Sequence, residues 1–337
     1  MKPHPQHDSV ERWNVQRSNA IAALLAAFGE RVRLNEPLAG HTTLRLGGPA
    51  EVWLAVEKVT ELVAAVTLAQ QHEMPVFILG GGANLLMSDA GIRGLVIENR
   101  ANRVEFPPPS RGGQGGAGIK VTVDSGTALP SLARRCAKQG LSGLEWAIGV
   151  PGTLGGAVVN NAGAYGSDMA RSLVRAELLS PQNERVWQPV EWFEYGYRTS
   201  RLKPPPSPPF KGGVRGGEGW IVLRAELQFT LAPVAEIEAR MAEFNRRRKS
   251  SQPPGATIGS MFKNPPGDYA GRLIEAAGLK GYRVGQAQIS TIHANFFQNL
   301  GGATATEVMA LIKTAQAAVE TKFGVRLELE IEVVGEW

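Results

Sequence analysis

Apolar and polar positions early in the chain alternate in a way that predicts a strand, a helix and a second strand. Residues 51–56 alternate with the two-residue period of a strand. From Thr60 to about His72, apolar residues recur three and four positions apart, which is typical of an amphipathic helix. Residues 76–79 form a short apolar run, and three glycines follow it. This order predicts a βαβ unit whose glycines lie where α/β sheets bind ligands.

The two ends of the chain have different patterns. Residues 1–17 are polar, so we expect a loose leader before a helix that Ser18 caps and Gly29 ends. The composition changes again near residue 230. Beyond that point the pattern predicts further elements, which are a helix over residues 232–249, a long helix over 304–323 and a strand over 325–334.

Two segments are rich in glycine and proline and resemble each other, residues 107–118 and residues 204–219. Each lies between strand-like segments. The first is flanked by residues 95–98 and 119–124, and the second by residues 197–201 and 220–229. Such composition is typical of flexible linkers, so we interpret both segments as surface insertions without catalytic chemistry.

The composition suits a protein with a sizeable core and an anionic small ligand. The 337 residues are 43% hydrophobic, and the net charge is +5 with only 20% charged residues. The tight basic cluster is Arg246, Arg247, Arg248 and Lys249. It lacks the interleaved aromatic residues of many nucleic-acid binders, so no nucleic-acid partner is expected.

A single cysteine, Cys136, excludes an internal disulfide and cannot anchor a zinc cluster. The first thirty residues have no secretory signal pattern, and no uncharged apolar run is long enough to span a bilayer. We therefore expect a soluble, cytoplasmic protein, monomeric and without a metal ion.

Glycine-rich loops carry the candidate chemistry. Residues 113–118 fit a dinucleotide pattern of glycines, but prolines precede them and a strand follows, which is the wrong context. Residues 80–86 follow a strand, and their bare backbone N–H groups suit phosphate oxygens. Residues 149–157 form a second glycine loop, which continues into residues 161–166. Two such loops without a helix-opening fingerprint predict a dinucleotide bound by a fold other than the Rossmann fold.

Three shorter motifs complete the set. Residues 197–200 read Tyr-Arg-Thr-Ser, and residues 260–265 place a hydroxyl, a cation and an amide around one phenylalanine. Near the end, Glu328, Glu330 and Glu332 alternate with apolar residues, so that the pattern predicts three carboxylates on one face of the last strand.

Taken together, these motifs resemble the UDP-N-acetylenolpyruvoylglucosamine reductase (UDP-N-acetylmuramate dehydrogenase) family. The five motifs are collinear between His41 and Gly335, and residues 293–296, His-Ala-Asn-Phe, also look like a segment of that family. The resemblance implies an α+β fold, with an FAD-binding part of the vanillyl-alcohol-oxidase/p-cresol-methylhydroxylase type followed by a smaller α+β substrate domain.

The domain division follows from this resemblance. We expect a leader and helix over residues 1–40, an FAD-binding region of two lobes over 41–231 and a substrate-binding domain over 232–337. The residues that the resemblance assigns to non-covalent FAD are Gly80, Gly81, Gly82, Ala83, Asn84, Leu85, Pro151, Gly152, Thr153, Gly155, Gly156, Asn161 and Gly163.

The resemblance also implies a reaction in peptidoglycan precursor synthesis. NADPH reduces the flavin, and hydride from flavin N5 then adds to the vinyl carbon of UDP-N-acetylglucosamine enolpyruvate. Arg198 and Glu330 stabilise the resulting enolate, and Ser260 protonates its carbon. Tyr197, Lys263 and Asn264 are the residues implied to contact the substrate.

Several positions depart from the family pattern. Ala83 stands where the family usually has serine, and Asn160 where it more often has methionine. Glu330 matches the catalytic glutamate of the family because it lies five residues before Gly335. Two residues later, Glu332 stands where the family typically has arginine. The tyrosine-bearing substrate loop of one branch is not evident, so the chain resembles the other branch.

The main alternative is a flavin oxidase or dehydrogenase of the same fold that acts on another substrate. Such enzymes often tether FAD covalently to histidine or cysteine. Cys136 lies in an apolar helical pattern and His41 has no tethering context, so we expect no covalent bond to the flavin.

Overall fold

The computed structural model describes residues 5–107, 118–203 and 219–337, with side chains from Val15 onward. Most of both predicted insertions, residues 108–117 and 204–218, lies outside the described residues. The helices of the described chain are α1 (Pro5–Phe28), α2 (Val59–Gln71), α3 (Leu129–Lys138), α4 (Leu154–Asn160), α5 (Met169–Ser172), α6 (Val234–Ser251), α7 (Ala270–Ala276) and α8 (Ala305–Phe323).

The strands of the described chain are mostly short, and three of them, β2, β5 and β13, have eight residues or more. They are β1 (Val32–Pro37), β2 (Pro49–Val56), β3 (Val76–Leu79), β4 (Leu85–Met87), β5 (Ile92–Asn99), β6 (Val104–Glu105), β7 (Ile119–Asp124), β8 (Leu141–Ser142), β9 (Gly163–Ala164), β10 (Ser167–Asp168), β11 (Leu173–Leu179), β12 (Arg185–Pro189), β13 (Ile221–Leu231), β14 (Ala256–Ser260), β15 (Arg283–Val284), β16 (Ala287–Ile289), β17 (Phe296–Asn299) and β18 (Glu332–Val334).

The first lobe is a four-stranded sheet in the order β1-β2-β5-β3. The predicted strand, helix and strand are present as β2, α2 and β3, but β5 lies between the two strands and pairs with both in parallel. One face of α2 buries Leu62, Val66 and Ala69 against this sheet, beside Leu24 of α1. Each such side chain contributes about 1.5 to 3 kcal/mol when it leaves water, so the strand that ends at Leu79 is firmly held.

The second lobe is an antiparallel sheet in the order β12-β11-β13-β7-β6, with β8 added at one end of β13. Helices α3, α4 and α6 bury apolar side chains in the core of this lobe, Leu132, Val158 and Ile237 among them. The predicted helix after residue 231 is therefore present as α6, and it packs on the second lobe.

The C-terminal part contains a second antiparallel sheet, β14-β17-β16-β15, covered by α7 and α8. The N-terminal cap of α8 is Thr304, whose hydroxyl accepts from the N–H of Glu307 while the Glu307 carboxylate accepts from Thr304. At its end the chain returns to the first lobe, because β18 pairs in parallel with β4. This pairing places the last glutamates next to the first glycine loop.

Two predicted boundaries were wrong. Helix α1 begins at Pro5, so residues 5–17 are not a loose leader and Ser18 lies inside the helix instead of capping it. Polar contacts attach residues 16 and 17 of this helix, since Gln16 donates to Glu73 over 2.8 Å and Arg17 pairs with Glu51, whereas Ala20 and Leu24 further along it are buried in the core of the first lobe. A hydrophobic pattern cannot reveal a helix that polar side chains attach to the sheet.

The predicted last strand is also shorter than expected, because only Glu332–Val334 forms a regular strand. Before it, the chain makes single contacts with residues 261–263. The N–H of Glu330 donates to the carbonyl of Met261, and the N–H of Lys263 donates to the carbonyl of Glu328. The strand-like flank predicted at residues 197–201 is a tight turn, closed by hydrogen bonds between Gly196 and Thr199.

Candidate active site

The two predicted glycine loops lie against each other. A Cβ atom built on Gly80 would come within 2.4 Å of Oγ1 of Thr153, and one built on Gly81 would lie 3.0 Å from Cα of Gly152. Only residues without a side chain permit this approach at Gly80. The contact joins the end of β3 to the start of α4, so the two lobes meet at these loops.

The first loop presents backbone donors that the described residues do not use. Among the described residues, no backbone N–H of Gly80, Gly81, Gly82, Ala83 or Asn84 donates a hydrogen bond. Hydrogen bonds of other atoms hold the loop in place. The carbonyl of Gly82 accepts from the N–H of Thr43, and the side-chain amide of Asn84 donates to the carbonyl of Glu330. Free N–H groups held in one place suit a phosphate.

Both loops line one cavity of about 450 Å³. All the residues that the resemblance assigns to FAD lie in its wall except Asn161. The side chain of Asn161 serves the backbone instead, because it donates to the carbonyl of Gly196 and accepts from the N–H of Ala170. Charged and catalytic candidates in the wall are Arg198, Lys203, Arg248, Ser260, Glu330 and Glu332.

Arg198 and Glu330 meet in this wall. Arg198 occupies a left-handed turn position (φ 56°), from which its Nε donates to Oε1 of Glu330 over 2.9 Å. A second guanidinium nitrogen donates to the carbonyl of Gly163 over 2.7 Å. Burial raises the pKa of Glu330, and the positive charge of Arg198 opposes that rise. The pair therefore combines a fixed cation with a carboxyl group that is easier to protonate than a solvated one.

Ser260 lies at the end of β14, beside the same pair. In the antiparallel pair of β14 and β17, Ser260 lies opposite Phe296. The next residue, Met261, accepts the N–H of Glu330, so the backbone segments that carry Ser260 and Glu330 are directly linked. Within the described chain the Ser260 hydroxyl has no hydrogen-bond partner and is free to donate to a ligand in the cavity.

The sequence reasoning missed two cations. Lys203 lies in the wall, and its Nζ donates to the carbonyls of Arg198 and Glu330. Arg248 also lies in the wall, over Gly149, whose missing side chain leaves room for the arginine. Burial lowers the pKa of both side chains. The sequence analysis considered the basic cluster only as a nucleic-acid site and rejected it, yet Arg248 of this cluster lines the cavity. Nothing in the sequence distinguishes Arg248 from the other three basic residues of the cluster.

The three predicted substrate contacts are not part of the cavity wall. Tyr197 is 56% exposed, with its ring beneath the guanidinium of Arg198. Lys263 contacts the exposed Glu328 over 3.5 Å. The side chain of Asn264 accepts from the N–H of Ala270 at the start of α7. Of the three glutamates expected on one face, Glu330 and Glu332 line the cavity and Glu328 does not.

The two candidate tether residues have other roles. The ring nitrogens of His41 contact Glu98 at 2.7 Å and Glu36 at 3.1 Å, and His41 is outside the cavity wall. Cys136 is fully buried in the core of the second lobe, where burial raises the pKa of its thiol to about 12. A thiol of this kind is inert.

Within the described ranges, no helix has the length and apolar character to cross a membrane.

Comparison with known proteins gives consistent matches along the chain. Residues 251–334 match the family described as UDP-N-acetylenolpyruvoylglucosamine reductase, C-terminal domain, and residues 50–187 match an FAD binding domain family. The UDP-N-acetylenolpyruvoylglucosamine reductases of Rubrobacter xylanophilus and Chloroflexus aggregans are each 42% identical to the chain. Both alignments cover 90% of this chain, and they cover 95% and 97% of those proteins.

A solved structure is similar over the same extent. The UDP-N-acetylenolpyruvylglucosamine reductase of Thermus caldophilus is 39% identical, with a TM-score of 0.71, over 90% of this chain and 98% of that one. These matches confirm the predicted α+β fold class, with an FAD-binding part followed by the C-terminal domain of the reductase family.

Proposed function

Since the chain belongs to the UDP-N-acetylenolpyruvoylglucosamine reductase family, flavin enzymes of peptidoglycan synthesis, we propose that it uses NADPH to reduce UDP-N-acetylglucosamine enolpyruvate to UDP-N-acetylmuramate. The observation that carries this proposal is the Arg198–Glu330 pair, 2.9 Å apart, in the wall of the cavity that Ser260 also lines. A guanidinium and a half-buried carboxyl beside a free hydroxyl supply what protonation of an enolate requires.

FAD is the cofactor, and the residues present fit it. The N–H groups of residues 80–84 are available to its pyrophosphate, and the close contact of Gly80 with Thr153 joins the two loops into one cradle. Neither His41 nor Cys136 lines the cavity, which supports non-covalent binding. When bound, the flavin carries hydride from NADPH to the vinyl carbon of the substrate.

Arg198 and Glu330 would stabilise the charge that develops beside the substrate carboxylate. Arg198 is fixed by Gly163 and Glu330, so its cation needs no reorganisation during the reaction. Glu330 can donate a hydrogen bond only when protonated, and burial raises its pKa in that direction. Preorganised donors of this kind stabilise a transition state more than they stabilise the ground state.

Ser260 would then give its proton to the carbanionic carbon. A serine hydroxyl is a weak acid, but the acceptor is a strong base. Two features of the structure suit it to this task. Its hydroxyl is not engaged within the described chain, and the Met261–Glu330 hydrogen bond holds its backbone beside the stabilising pair.

The charge of the cavity suits a substrate that carries a diphosphate and a carboxylate. Arg198, Lys203 and Arg248 place three cations in the wall, against the carboxylates of Glu330 and Glu332. Within the described chain Arg248 forms no ion pair, so its charge is available to an anion. The assignments of Tyr197, Lys263 and Asn264 to the substrate stay predictions from the resemblance.

Anaerobic absorbance spectroscopy of the purified protein tests the proposal. We expect a flavin spectrum that bleaches with NADPH and recovers when UDP-N-acetylglucosamine enolpyruvate is added. Recovery only with air would favour the flavin oxidase, and the absence of flavin even after adding FAD would refute the cofactor assignment. Ser260→Ala should bleach normally but recover more slowly by on the order of 100-fold or more. A normal recovery would exclude Ser260 as the proton donor.

A further inference from the structure

Lys203 connects the two residues of the catalytic pair through their backbones. Its Nζ lies 3.2 Å from the carbonyl oxygen of Arg198 and 3.4 Å from that of Glu330. These carbonyls belong to segments that are distant in the sequence. One is in the turn that aims the guanidinium, and the other is beside the C-terminal strand. An ammonium has three donors and no acceptor, so it can bridge two carbonyls at once.

The turn has its own anchors at its other end. The hydroxyl of Ser200 donates to the carbonyl of Val159 over 2.6 Å, and the N–H of Arg201 donates to the carbonyl of Phe193. The N–H of Lys203 in turn donates to the carbonyl of Ser200. The backbone from 200 to 203 is thus held to the second lobe. The Lys203 side chain reaches back from this fixed base to the tip of the turn and across to Glu330.

Burial lowers the pKa of Lys203, and the neighbouring charges act on it in both directions. Desolvation lowers the pKa of Lys203, and the carboxylates of Glu332 and Glu330 raise it, whereas Lys263 and Arg198 lower it. Glu332 stands where the family usually has arginine. In this chain the carboxylate therefore raises the pKa of the half-buried Lys203, whereas an arginine there would lower it. A charge–dipole contact of this type is strengthened where water is excluded.

We propose that Lys203 is a positioning residue of the proposed reaction: its ammonium ties the carbonyl of Arg198 to that of Glu330 and so sets the distance between the guanidinium and the carboxyl group. This inference rests on the proposed function. It requires Lys203 to act through Arg198 and Glu330, whose role begins when the enolpyruvyl substrate accepts hydride. The first half of the reaction, in which NADPH reduces the flavin, does not need that pair.

The test compares three variants of the holoenzyme by anaerobic stopped-flow absorbance. Lys203→Met removes the charge and keeps a similar length. Lys203→Arg keeps a cation. Lys280→Met is the matched control, since Lys280 pairs with Glu275 outside the cavity wall.

A misplacement of about 1 Å can cost on the order of 100-fold in rate. We expect Lys203→Met to slow flavin reoxidation by the substrate by roughly 10- to 100-fold, with flavin reduction by NADPH close to wild type. Lys203→Arg should recover a larger share of the rate.

Hydrogen–deuterium exchange gives a readout that is independent of turnover. In Lys203→Met the amides of Gly196 and Thr199, which bond each other across the turn, should exchange faster than in wild type. Wild-type reoxidation together with wild-type exchange would overturn the inference. Equal slowing of both half-reactions with loss of flavin would also overturn it, in favour of a purely structural lysine. If wild-type enzyme did not react with the enolpyruvyl substrate, the proposed function would fail, while the exchange result would still report on the bridge.

Discussion

The guanidinium of Arg198 donates to the carboxylate of Glu330 over 2.9 Å, although 132 residues separate them in the chain. The arginine belongs to a turn of the second lobe, and the glutamate precedes the strand that returns to the first lobe. Neither lobe could form this pair alone. The pair depends on the C-terminal segment passing between β4 and the residues that follow Ser260.

Removal of the guanidinium should affect the second half-reaction most. In Arg198→Ala we expect flavin reoxidation by the enolpyruvyl substrate to slow by on the order of 100- to 1,000-fold, because one preorganised donor is lost. Arg201→Ala is the control, since Arg201 pairs with the exposed Glu194. Stopped-flow absorbance measures both. A rate near wild type in Arg198→Ala would contradict its role in stabilising the enolate.

The pH dependence of the same half-reaction should depend on Glu330. Burial raises its pKa, so the protonated, donating form persists to a higher pH than in a solvated glutamate. Above that pKa the carboxyl group loses its proton, and we expect the reoxidation rate to fall as pH rises.

A glutamine at this position supplies the matched comparison. Glu330→Gln keeps an N–H donor at every pH. The reoxidation rate of this variant should therefore not fall as pH rises in the way that the wild-type rate does. Parallel declines in the two enzymes would show that another group titrates.

The contact between the two glycine loops can be tested with a pair of substitutions. Gly80→Ala places a Cβ 2.4 Å from Oγ1 of Thr153 but 3.6 Å from its Cβ. Overpacking of this kind costs about 1 to 3 kcal/mol, and we expect weaker FAD binding by roughly 10- to 100-fold. In the double variant Gly80→Ala/Thr153→Ala the clash is gone, so part of the affinity lost in Gly80→Ala should return.

Fluorescence titration of the apoprotein with FAD measures these affinities. Gly40→Ala is the control, because a Cβ at Gly40 meets no atom within 4 Å. If the double variant bound FAD no more tightly than Gly80→Ala, the proposed clash would not be the cause.

Asn295 should contribute to stability and to the placement of Ser260. Its buried amide accepts from the N–H of Phe262 over 2.9 Å and donates to the carbonyl of Phe262 over 2.8 Å. In Asn295→Ala both groups lose their partner, and we expect the free energy of unfolding to fall by about 1 to 3 kcal/mol or more. Urea unfolding measures this, with Gln71→Ala, an exposed amide, as the control. Unchanged stability in Asn295→Ala would mean that water replaces the amide.

Local spacing was enough to predict several elements and the chemistry that they carry. The two-residue period before Val56, the helical period of α2 and the glycines after Leu79 are properties of neighbouring residues. The α2 helix buries the face that its own pattern defines, whereas β2 is buried on both faces from Ala50 to Val56, so its alternation marks a strand but not an exposed side. The motifs around Arg198, Ser260 and Glu330 could be recognised for the same reason, since each is a short, continuous segment.

Only the tertiary structure decided how these segments meet. The hydrophobic pattern did not indicate that α1 begins at Pro5, because polar contacts such as that of Gln16 with Glu73 hold it. Nor did it indicate that Arg248 leaves a basic cluster for the cavity or that Lys203 bridges two carbonyls. Such contacts join residues that are far apart in the chain, and their distances depend on how the cores of the two lobes and of the C-terminal part pack. The sequence by itself determined which residues are available to the site, whereas packing between the cores determined which of them reach it.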